Sequence, residues 1–458
     1  MNNPRRKFLT SAGALTASAM AGSLGTWGVE SANAAVGSGY QAIVCVFLFG
    51  GNDSNNMIVP YSDYAAYSAV RTTASQVGIP QANLIQFSAA GKTYGFHPSM
   101  SPLASVYAAG KMAVLANAGT LVAPIANKAA YQANPSLRPP NLFSHADQQD
   151  QWSGTLNNAP MRSGWGGRMS DLLVSANAGA LIPSSVSVAG SQVFASGVTT
   201  APLVIPQNGG VTVSGQGTDA TSIARFNALT ALLANATPGN AVVQGSAGIM
   251  SKALAANSTA NPILTATLPA IIQTAFTVNG TLLNTGIAQQ LRQVARLIDR
   301  SAETGVKRQF FLVGMGGYDT HVGTVTNQTN LFNQLFPAMR AFYDYTAAAG
   351  ISNSVVQITM SDFNRTFIGN ANQGVDHAWG GHHLVIGGAV KGGEMYGTFP
   401  DLITNGTMDS GSNGAWIPGI AVDQIGATLG RWLGMPGSDI AQVFPNLANF
   451  TAKDLQFV

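Results

Sequence analysis

An α/β fold, with a mainly parallel sheet flanked by helices, is predicted by two features of this 458-residue sequence. Continuous runs of β-branched, aliphatic and aromatic residues recur along the chain, and segments with apolar residues at helical spacing lie between several of them. A strand that is apolar on both faces is typical of the middle of a parallel sheet that helices cover on both sides. Alternation of such strands with helices indicates the α/β class.

The predicted elements follow these patterns in chain order. The run YQAIVCVFLF forms the first predicted strand, at 40–49, and ends at Gly50-Gly51-Asn52-Asp53. The other predicted strands are 112–118, 309–315, 354–360 and 384–390. Predicted amphipathic helices cover 287–298, 331–345 and 425–433, because apolar residues recur there about every three or four positions.

Residues 181–285 differ from the rest of the chain. This stretch contains three charged side chains, Asp219, Arg225 and Lys252, and is rich in Thr, Asn, Ala, Val and Gly. We predict an inserted cap region packed against the α/β core, since apolar stretches within it make a long flexible linker the weaker alternative.

Charged residues are scarce, at 9% of the chain, against about 25% in an average soluble protein. The first 34 residues hold three of the 22 Lys and Arg and one of the 19 Asp and Glu, so the remainder has 19 basic and 18 acidic side chains. A net charge of +1 gives no general attraction for a phosphate backbone, which argues against a nucleic-acid partner. Beyond residue 34 no uninterrupted apolar run approaches the length of about 20 residues needed for a stable membrane anchor.

Residues 1–34 have the pattern of an export signal. Arg5-Arg6-Lys7-Phe8-Leu9 precedes a weakly apolar stretch, and Ala32-Asn33-Ala34 has the small residues of a signal-peptidase site. Paired arginines before a weakly hydrophobic segment favour the twin-arginine export machinery. We therefore expect a periplasmic or secreted protein whose α/β domain occupies 35–458.

Aspartates follow three of the predicted strands. Asp53, Asp319 and Asp362 would meet at one edge, because the carboxyl ends of parallel strands form the ligand crevice of an open sheet. Carboxylates that converge in a cleft repel one another unless a cation lies between them. The three positions therefore predict a divalent metal site.

Histidines add nitrogen ligands to this prediction. His321 lies two residues after Asp319, and His377, His382 and His383 fall within seven residues of one another. A mixed nitrogen and oxygen ligand set favours zinc or manganese over calcium. The alternative for the dense histidine segment is a hydrogen-bonded surface loop.

Two further positions are candidates for catalysis, each with a structural alternative. Ser144 and His145 open a predicted helix, where a serine commonly serves as the N-cap. Arg365, three residues after Asp362, has the geometry to bind a phosphate or sulfate group through two donors, or else forms a salt bridge with a nearby carboxylate.

Several of these motifs together resemble one family. The motifs are GGND at 50–53, FHP at 96–98, SH at 144–145, DTH at 319–321, SDFNRT at 361–366, DHAWGGHH at 376–383, GAVKGG at 388–393 and VFPNL at 443–447. With the export signal, they identify the chain as a member of the family called domain of unknown function 1501, which is similar to the alkaline phosphatase and sulfatase superfamily.

That resemblance implies roles for individual residues. Ser144 would be the nucleophile, with His145 beside it and Ser54 as a second candidate, and Arg365 would stabilise the transferred group. The implied ligands of one or two metal ions are Asp53, Asp319, His321, Asp362, His377, His382 and His383.

The function we expect is an exported metal-dependent hydrolase of phosphate or sulfate esters on a small molecule or a glycan. Attack would come from a serine or from water activated by the metal. The alternative is a non-catalytic exported metal-binding protein that serves as a binding or assembly module. A redox enzyme is a third reading, against which the single cysteine and the lack of a dinucleotide motif argue.

Overall fold

A mainly parallel sheet forms the centre of the structure, a computed structural model that describes residues 39–155, 162–212, 217–235 and 240–458. The predicted signal peptide, 1–34, lies outside the described residues. The strands, in chain order, are β1 Gln41–Leu48, β2 Ile58–Val59, β3 Ile85–Ala89, β4 Lys92–Phe96, β5 Met112–Gly119, β6 Ser185–Ser187, β7 Leu203–Val204, β8 Thr277–Val278, β9 Thr281–Leu282, β10 Arg308–Met315, β11 Val355–Ser361, β12 Gly381–Gly387, β13 Met395–Tyr396 and β14 Ile420–Ala421.

The central sheet has the strand order β13-β5-β12-β11-β1-β10-β6-β7, and β14 also pairs with β5. Strand β1 pairs in parallel with both β10 and β11, and β6 and β7 continue the parallel arrangement beyond β10. Strand β12 runs antiparallel to its neighbours β11 and β5. The predicted α/β class with a mainly parallel sheet is confirmed.

Strand β1 shows why its sequence is apolar throughout. Its side chains alternate between two cores, since Val44 and Val46 belong to one cluster of buried residues and Cys45 and Phe47 to the other. Alternation is the natural consequence of the two-residue period of a strand. Both faces of the sheet are therefore covered, as the apolar run predicted.

Helices cover both faces. In chain order they are α1 Ser54–Met57, α2 Tyr64–Tyr67, α3 Ser101–Ala108, α4 Lys128–Ala133, α5 His145–Gly154, α6 Trp165–Leu172, α7 Ala220–Ala234, α8 Ala241–Thr265, α9 Ala270–Ala275, α10 Gly286–Asp299, α11 Ser301–Thr304, α12 Thr324–Ala348, α13 Val422–Trp432 and α14 Gly437–Val443. Helices α10 and α12 supply apolar side chains to one core, and α6 and α13 supply them to the other. Among the described residues, no helix is both long and apolar enough to cross a membrane.

The last predicted strand is shifted along the sequence in the structure and runs antiparallel to its neighbours. We expected it at 384–390, whereas β12 spans Gly381–Gly387 and runs antiparallel. A return in the parallel direction requires a crossover, usually helical, to the opposite edge of the sheet. The segment that joins β11 to β12 contains no helix within the described residues, so β12 starts at the edge where β11 ends.

In the structure, the predicted inserted cap, 181–285, consists of two different parts. Its first part supplies β6 and β7, which extend the central sheet, so this part is not an insertion outside the core. The helices α7, α8 and α9 follow. The short strands β6 and β7 carry too few apolar residues for the sequence pattern to separate them from the surrounding loops.

Candidate functional site

Four side chains meet at the edge where β1, β10 and β11 end. Asp319 and His321 follow β10, His377 lies between β11 and β12, and His145 is the first residue of α5. These side chains are 27–50% exposed, so the cluster is open to solvent. The structure thus gathers residues from distant parts of the chain at the edge that the parallel topology predicts.

The three histidines share one arrangement: each Nδ1 atom lies beside a hydrogen-bond acceptor. The pairs are His145 with Asp362 Oδ2 at 2.6 Å, His321 with Asp376 Oδ1 at 2.7 Å and His377 with the Phe143 carbonyl oxygen at 2.7 Å. Because a carbonyl oxygen accepts only, His377 must carry its proton on Nδ1, and carboxylate acceptors favour the same tautomer in the other two. The Nε2 atoms are then left with lone pairs.

These Nε2 atoms surround one carboxylate oxygen. Asp319 Oδ1 lies 3.4 Å from His145 Nε2, 3.1 Å from His321 Nε2 and 3.6 Å from His377 Nε2. The Nε2 atoms of His321 and His377 are 3.0 Å apart. Lone pairs that face each other at this distance repel unless a cation or an additional proton lies between them.

The donor set fits a divalent metal. Ligand atoms of His145, Asp319 and His377 all lie within 4.8 Å of one another. The Nε2 atom of His145 is buried, and among the described residues it has no hydrogen-bond partner. An Nδ1 atom held by a carboxylate or carbonyl, with Nε2 aimed at a shared centre, is the usual environment of a metal-ligating histidine.

Arg365 holds Asp319 in place and differs from the anion clamp that we predicted. Its guanidinium is fully buried and forms an ion pair with Asp319 Oδ1 at 2.5 Å. The other donors reach the carbonyl oxygens of Gly50, Gly51 and Val375. All three guanidinium nitrogens are therefore engaged with the protein, which corresponds to the salt-bridge alternative.

Electrostatics keep the carboxylates of the site ionised. Burial alone would raise the pKa of Asp319, but Arg365, His321 and His145 hold it below its ordinary value. The pKa of Asp376 is lowered in the same way, since hydrogen bonds from His321 and Asn370 outweigh burial. Burial, together with nearby positive charge, lowers the pKa of His377 and favours the neutral imidazole that a metal requires.

Asp362 lies behind His145 and not among the converging ligand atoms. It is fully buried, and it accepts hydrogen bonds from the Gly50 N–H at 3.1 Å and from Gln149 Nε2 at 2.9 Å. Because its Oδ2 atom already accepts from His145 Nδ1, Asp362 orients a candidate ligand. The predicted direct ligation is replaced by this supporting contact.

Asp53 is also placed differently from our prediction. Its carboxylate forms a fully buried ion pair with Arg71, and Asn55 donates to its other oxygen at 3.3 Å. The strand-end position brought Asp53 to the correct edge, but the side chain points to Arg71 and not to the histidines. It holds the loop after β1 together.

His382 and His383 lie within β12 and are buried in the core. The Asn117 N–H donates to His382 Nδ1 at 3.1 Å, and the His382 ring stacks on Phe399. His383 packs against Trp152, with ring centroids 4.5 Å apart. Burial lowers the pKa of each to about 3, so both are neutral side chains of the core and not members of the candidate site.

Neither predicted serine nucleophile is free. Ser144 is the N-cap of α5, and its hydroxyl donates to Asp147 Oδ2. Ser54 is buried, and its hydroxyl donates to Asn364 Oδ1 and accepts from the His382 N–H. Both hydroxyls serve structural hydrogen bonds, which for Ser144 is the alternative that the helix N-terminus suggested.

Comparison with known proteins places the chain in a family. The family described as "Protein of unknown function (DUF1501)" matches residues 40–412. The chain belongs to the DUF1501 family. The match covers most of the central sheet and all of the candidate site, so the resemblance seen in the motifs is confirmed.

Other comparisons add little to the DUF1501 assignment. No curated protein matches this sequence. Among solved structures, the chain is similar to "Crystal structure of Ps i-CgsB in complex with k-i-k-neocarrahexaose", at 9% identity and TM-score 0.35, and to "Crystal structure of Ps i-CgsB", at 9% identity and TM-score 0.33. Each likeness covers 91% of this chain and 77% of the other. At these TM-scores neither carries an argument about fold or function.

Two contributors to the site in this DUF1501 protein were not among the predicted site residues. Asp376 orients His321, and its position beside His377 in a histidine-rich segment was the available signal. Phe143 orients His377 through its backbone carbonyl. Because a carbonyl contact does not depend on side-chain type, no residue pattern could have identified it.

Proposed function

We propose that this protein is an exported metal-dependent hydrolase of phosphate or sulfate esters, with its metal held by His145, Asp319 and His377 and with His321 beside them. The observation that carries the proposal is the convergence of three Nε2 atoms on Asp319 Oδ1, at 3.1–3.6 Å, with His145 Nε2 buried and unpartnered among the described residues. Nitrogen-rich sets of this kind suit zinc, and manganese is the second choice.

The contacts of each side chain indicate its role in the proposed site. Asp362 and Asp376 hold the imidazoles of His145 and His321. Arg365 holds Asp319 and compensates its charge. A divalent ion held by His145, Asp319 and His377 would supply Lewis acidity for the hydrolysis of an ester.

Water is the nucleophile that we favour over Ser144. The Ser144 hydroxyl is engaged with Asp147 at the start of α5, and abandoning that cap would cost about 1 kcal/mol. The candidate ligands are partly exposed, so an ester group of a small molecule or glycan can reach them from solvent. Export by the twin-arginine machinery remains part of the proposal, on the sequence of residues 1–34.

The test uses the chain from residue 35 onward, purified without added metal. Elemental analysis should find zinc or manganese at about one ion per chain, and a panel of aryl phosphate and aryl sulfate esters should be hydrolysed. His377→Ala should lose both metal and activity. The matched control is His97→Ala, a buried histidine outside the cluster, which should lose stability and retain metal. No ester hydrolysis by the metal-loaded protein would overturn the hydrolase assignment.

A non-catalytic metal-binding protein is the second candidate, and Arg365 favours it. Four of the five N–H groups of Arg365 donate to Gly50, Gly51, Val375 and Asp319, and its Nη1 atom also lies 3.4 Å from His321 Nε2, so Arg365 lacks a free donor for a transferred anionic group. Tight metal binding, with stability lost on chelation and no turnover of any ester, would decide for this alternative.

A further inference from the structure

Gln149 reaches the candidate metal site through a shared carboxylate. Its Nε2 atom donates to Asp362 Oδ2 at 2.9 Å, and the same oxygen lies 2.6 Å from His145 Nδ1. Residues four apart lie on the same face of a helix, so His145 and Gln149 of α5 approach Asp362 together. Gln149 thereby fixes the oxygen that orients the His145 ring.

Gln148 is connected to the candidate site through the backbone of Phe143. It is fully buried, its Oε1 atom accepts from the Phe143 N–H at 2.7 Å, and its Nε2 atom donates to Thr120 Oγ1 at 3.3 Å. Phe143 has φ +72°, a conformation that a bulky side chain rarely adopts and that must be held by its surroundings. The Phe143 carbonyl in turn accepts from His377 Nδ1.

We propose that Gln148 and Gln149 are positioning residues, which together set the ring orientation and the Nδ1–H tautomer of His377 and His145. Consecutive residues of one helical turn thus control two of the three candidate ligands. The inference rests on the proposed function, because the purpose of this control is to aim both Nε2 atoms at Asp319.

The helix offers a matched control. Gln151 is also buried in α5, and its Nε2 atom donates to the Pro140 carbonyl at 2.7 Å, away from the candidate ligands. Replacement of Gln151 therefore removes a buried glutamine hydrogen bond from the same helix without touching Asp362 or Phe143. If the substitutions acted only by weakening α5, the variants of Gln148, Gln149 and Gln151 would all show the same effect.

The first experiment measures Co²⁺ affinity by the visible absorption of the bound ion in Gln148→Met, Gln149→Met and Gln151→Met. The dissociation constant should rise about 10- to 100-fold in the first two, the usual effect of losing a partner that orients a metal ligand. It should stay within about twofold of wild type in Gln151→Met, with thermal unfolding of the metal-free proteins reporting stability separately. Equal affinity in all four proteins would overturn the inference and leave the proposed function standing.

The second experiment needs no metal. Nitrogen-15 spectra of labelled histidine report the tautomer of each ring, and wild type should show Nδ1–H imidazoles for His145 and His377. Gln149→Met should alter the His145 signal, Gln148→Met the His377 signal, and neither should alter His97. If wild type binds no Co²⁺, the proposed function fails, and these spectra still decide the inference: unchanged signals in both variants would refute it.

Discussion

The histidines of this protein divide by what surrounds the ring. His145, His321 and His377 are partly exposed and present Nε2 to a shared carboxylate. The other three are buried, and burial lowers the pKa of His97 to about 4 and that of His382 and His383 to about 3. Residue type and the clustering of histidines along the sequence therefore identified the histidines of the candidate site only in part.

The Asp53–Arg71 pair gives a prediction at the same scale. Asp53→Asn should lower the free energy of unfolding by about 3–5 kcal/mol, because it leaves the charge of Arg71 buried without its partner. Denaturant unfolding measures this loss. The matched control is Asp63→Asn, which breaks an exposed pair with Lys92 and should leave the free energy of unfolding close to that of wild type, because exposed ion pairs contribute little to stability.

The same two variants also test which aspartates belong to the proposed metal site. Both should retain the metal content of wild type, because the carboxylate of Asp53 pairs with Arg71 and that of Asp63 pairs with Lys92. A loss of bound metal in Asp53→Asn, at a stability that still leaves the protein folded, would restore Asp53 to the ligand set.

At the scale of elements, helix α13 contains a buried carboxyl in its first turn. Burial raises the pKa of Asp423 to about 7, an effect that nearby Arg168 and local backbone hydrogen bonds only partly oppose. Its Oδ1 atom has no hydrogen-bond partner among the described residues. The side chain is therefore protonated in the folded protein under mildly acidic conditions.

This shift predicts a pH dependence of stability with a defined sign. Between about pH 4 and pH 7 the unfolded chain has released the proton of Asp423 and the folded chain has not, so unfolding becomes easier as the pH rises. Asp423→Asn has no carboxyl to titrate here, so it should not lose this stability as the pH rises. Across that interval its free energy of unfolding should increase relative to that of wild type by up to about 4 kcal/mol. Guanidinium unfolding of both proteins at pH 4.5 and pH 8 measures the difference in their free energies of unfolding. If that difference is the same at the two pH values, the prediction is contradicted.

Helix α7 differs from the helices of the core in its burial. Helix α7 is described over its full length and buries none of its side chains, so it gains little from tertiary packing. Limited trypsin digestion of the chain from residue 35 onward should therefore cut first at Arg225, as identified by mass spectrometry. Arg225→Gln should delay the first cut, whereas early cleavage next to β10, at Lys307, would argue against this order of stability.

At the scale of the whole molecule, the candidate site depends on the topology of the sheet. Parallel pairing of β1, β10 and β11 brings their carboxyl ends to one edge, and the antiparallel β12 starts at that edge, so the segment with His377 that joins β11 to β12 stays there. Helix α5, far away in sequence, adds His145. No single element contains the site.

Removal of the proposed metal should consequently lower the stability of the whole fold. An ion that binds only the folded chain stabilises it by about 2.7 kcal/mol when its concentration is 100 times the dissociation constant. Addition of a chelator should lower the melting temperature of wild type and leave that of His145→Ala unchanged, as measured by calorimetry. Equal melting curves for wild type with and without chelator would show that no metal contributes to stability.

The sequence by itself determined the α/β class, the five longest strands of the central sheet (β1, β5, β10, β11 and β12, the last with shifted bounds) and the edge at which the candidate site lies. These three properties follow from local physics, because apolar runs define buried strands and parallel strands end on one side. Tertiary structure decided which side chains meet there. It turned Asp53 to Arg71, buried His382 and His383 in β12 and engaged Arg365 with Asp319. Side-chain direction and long-range pairing depend on neighbours that are distant in sequence, and so the local pattern could not specify them.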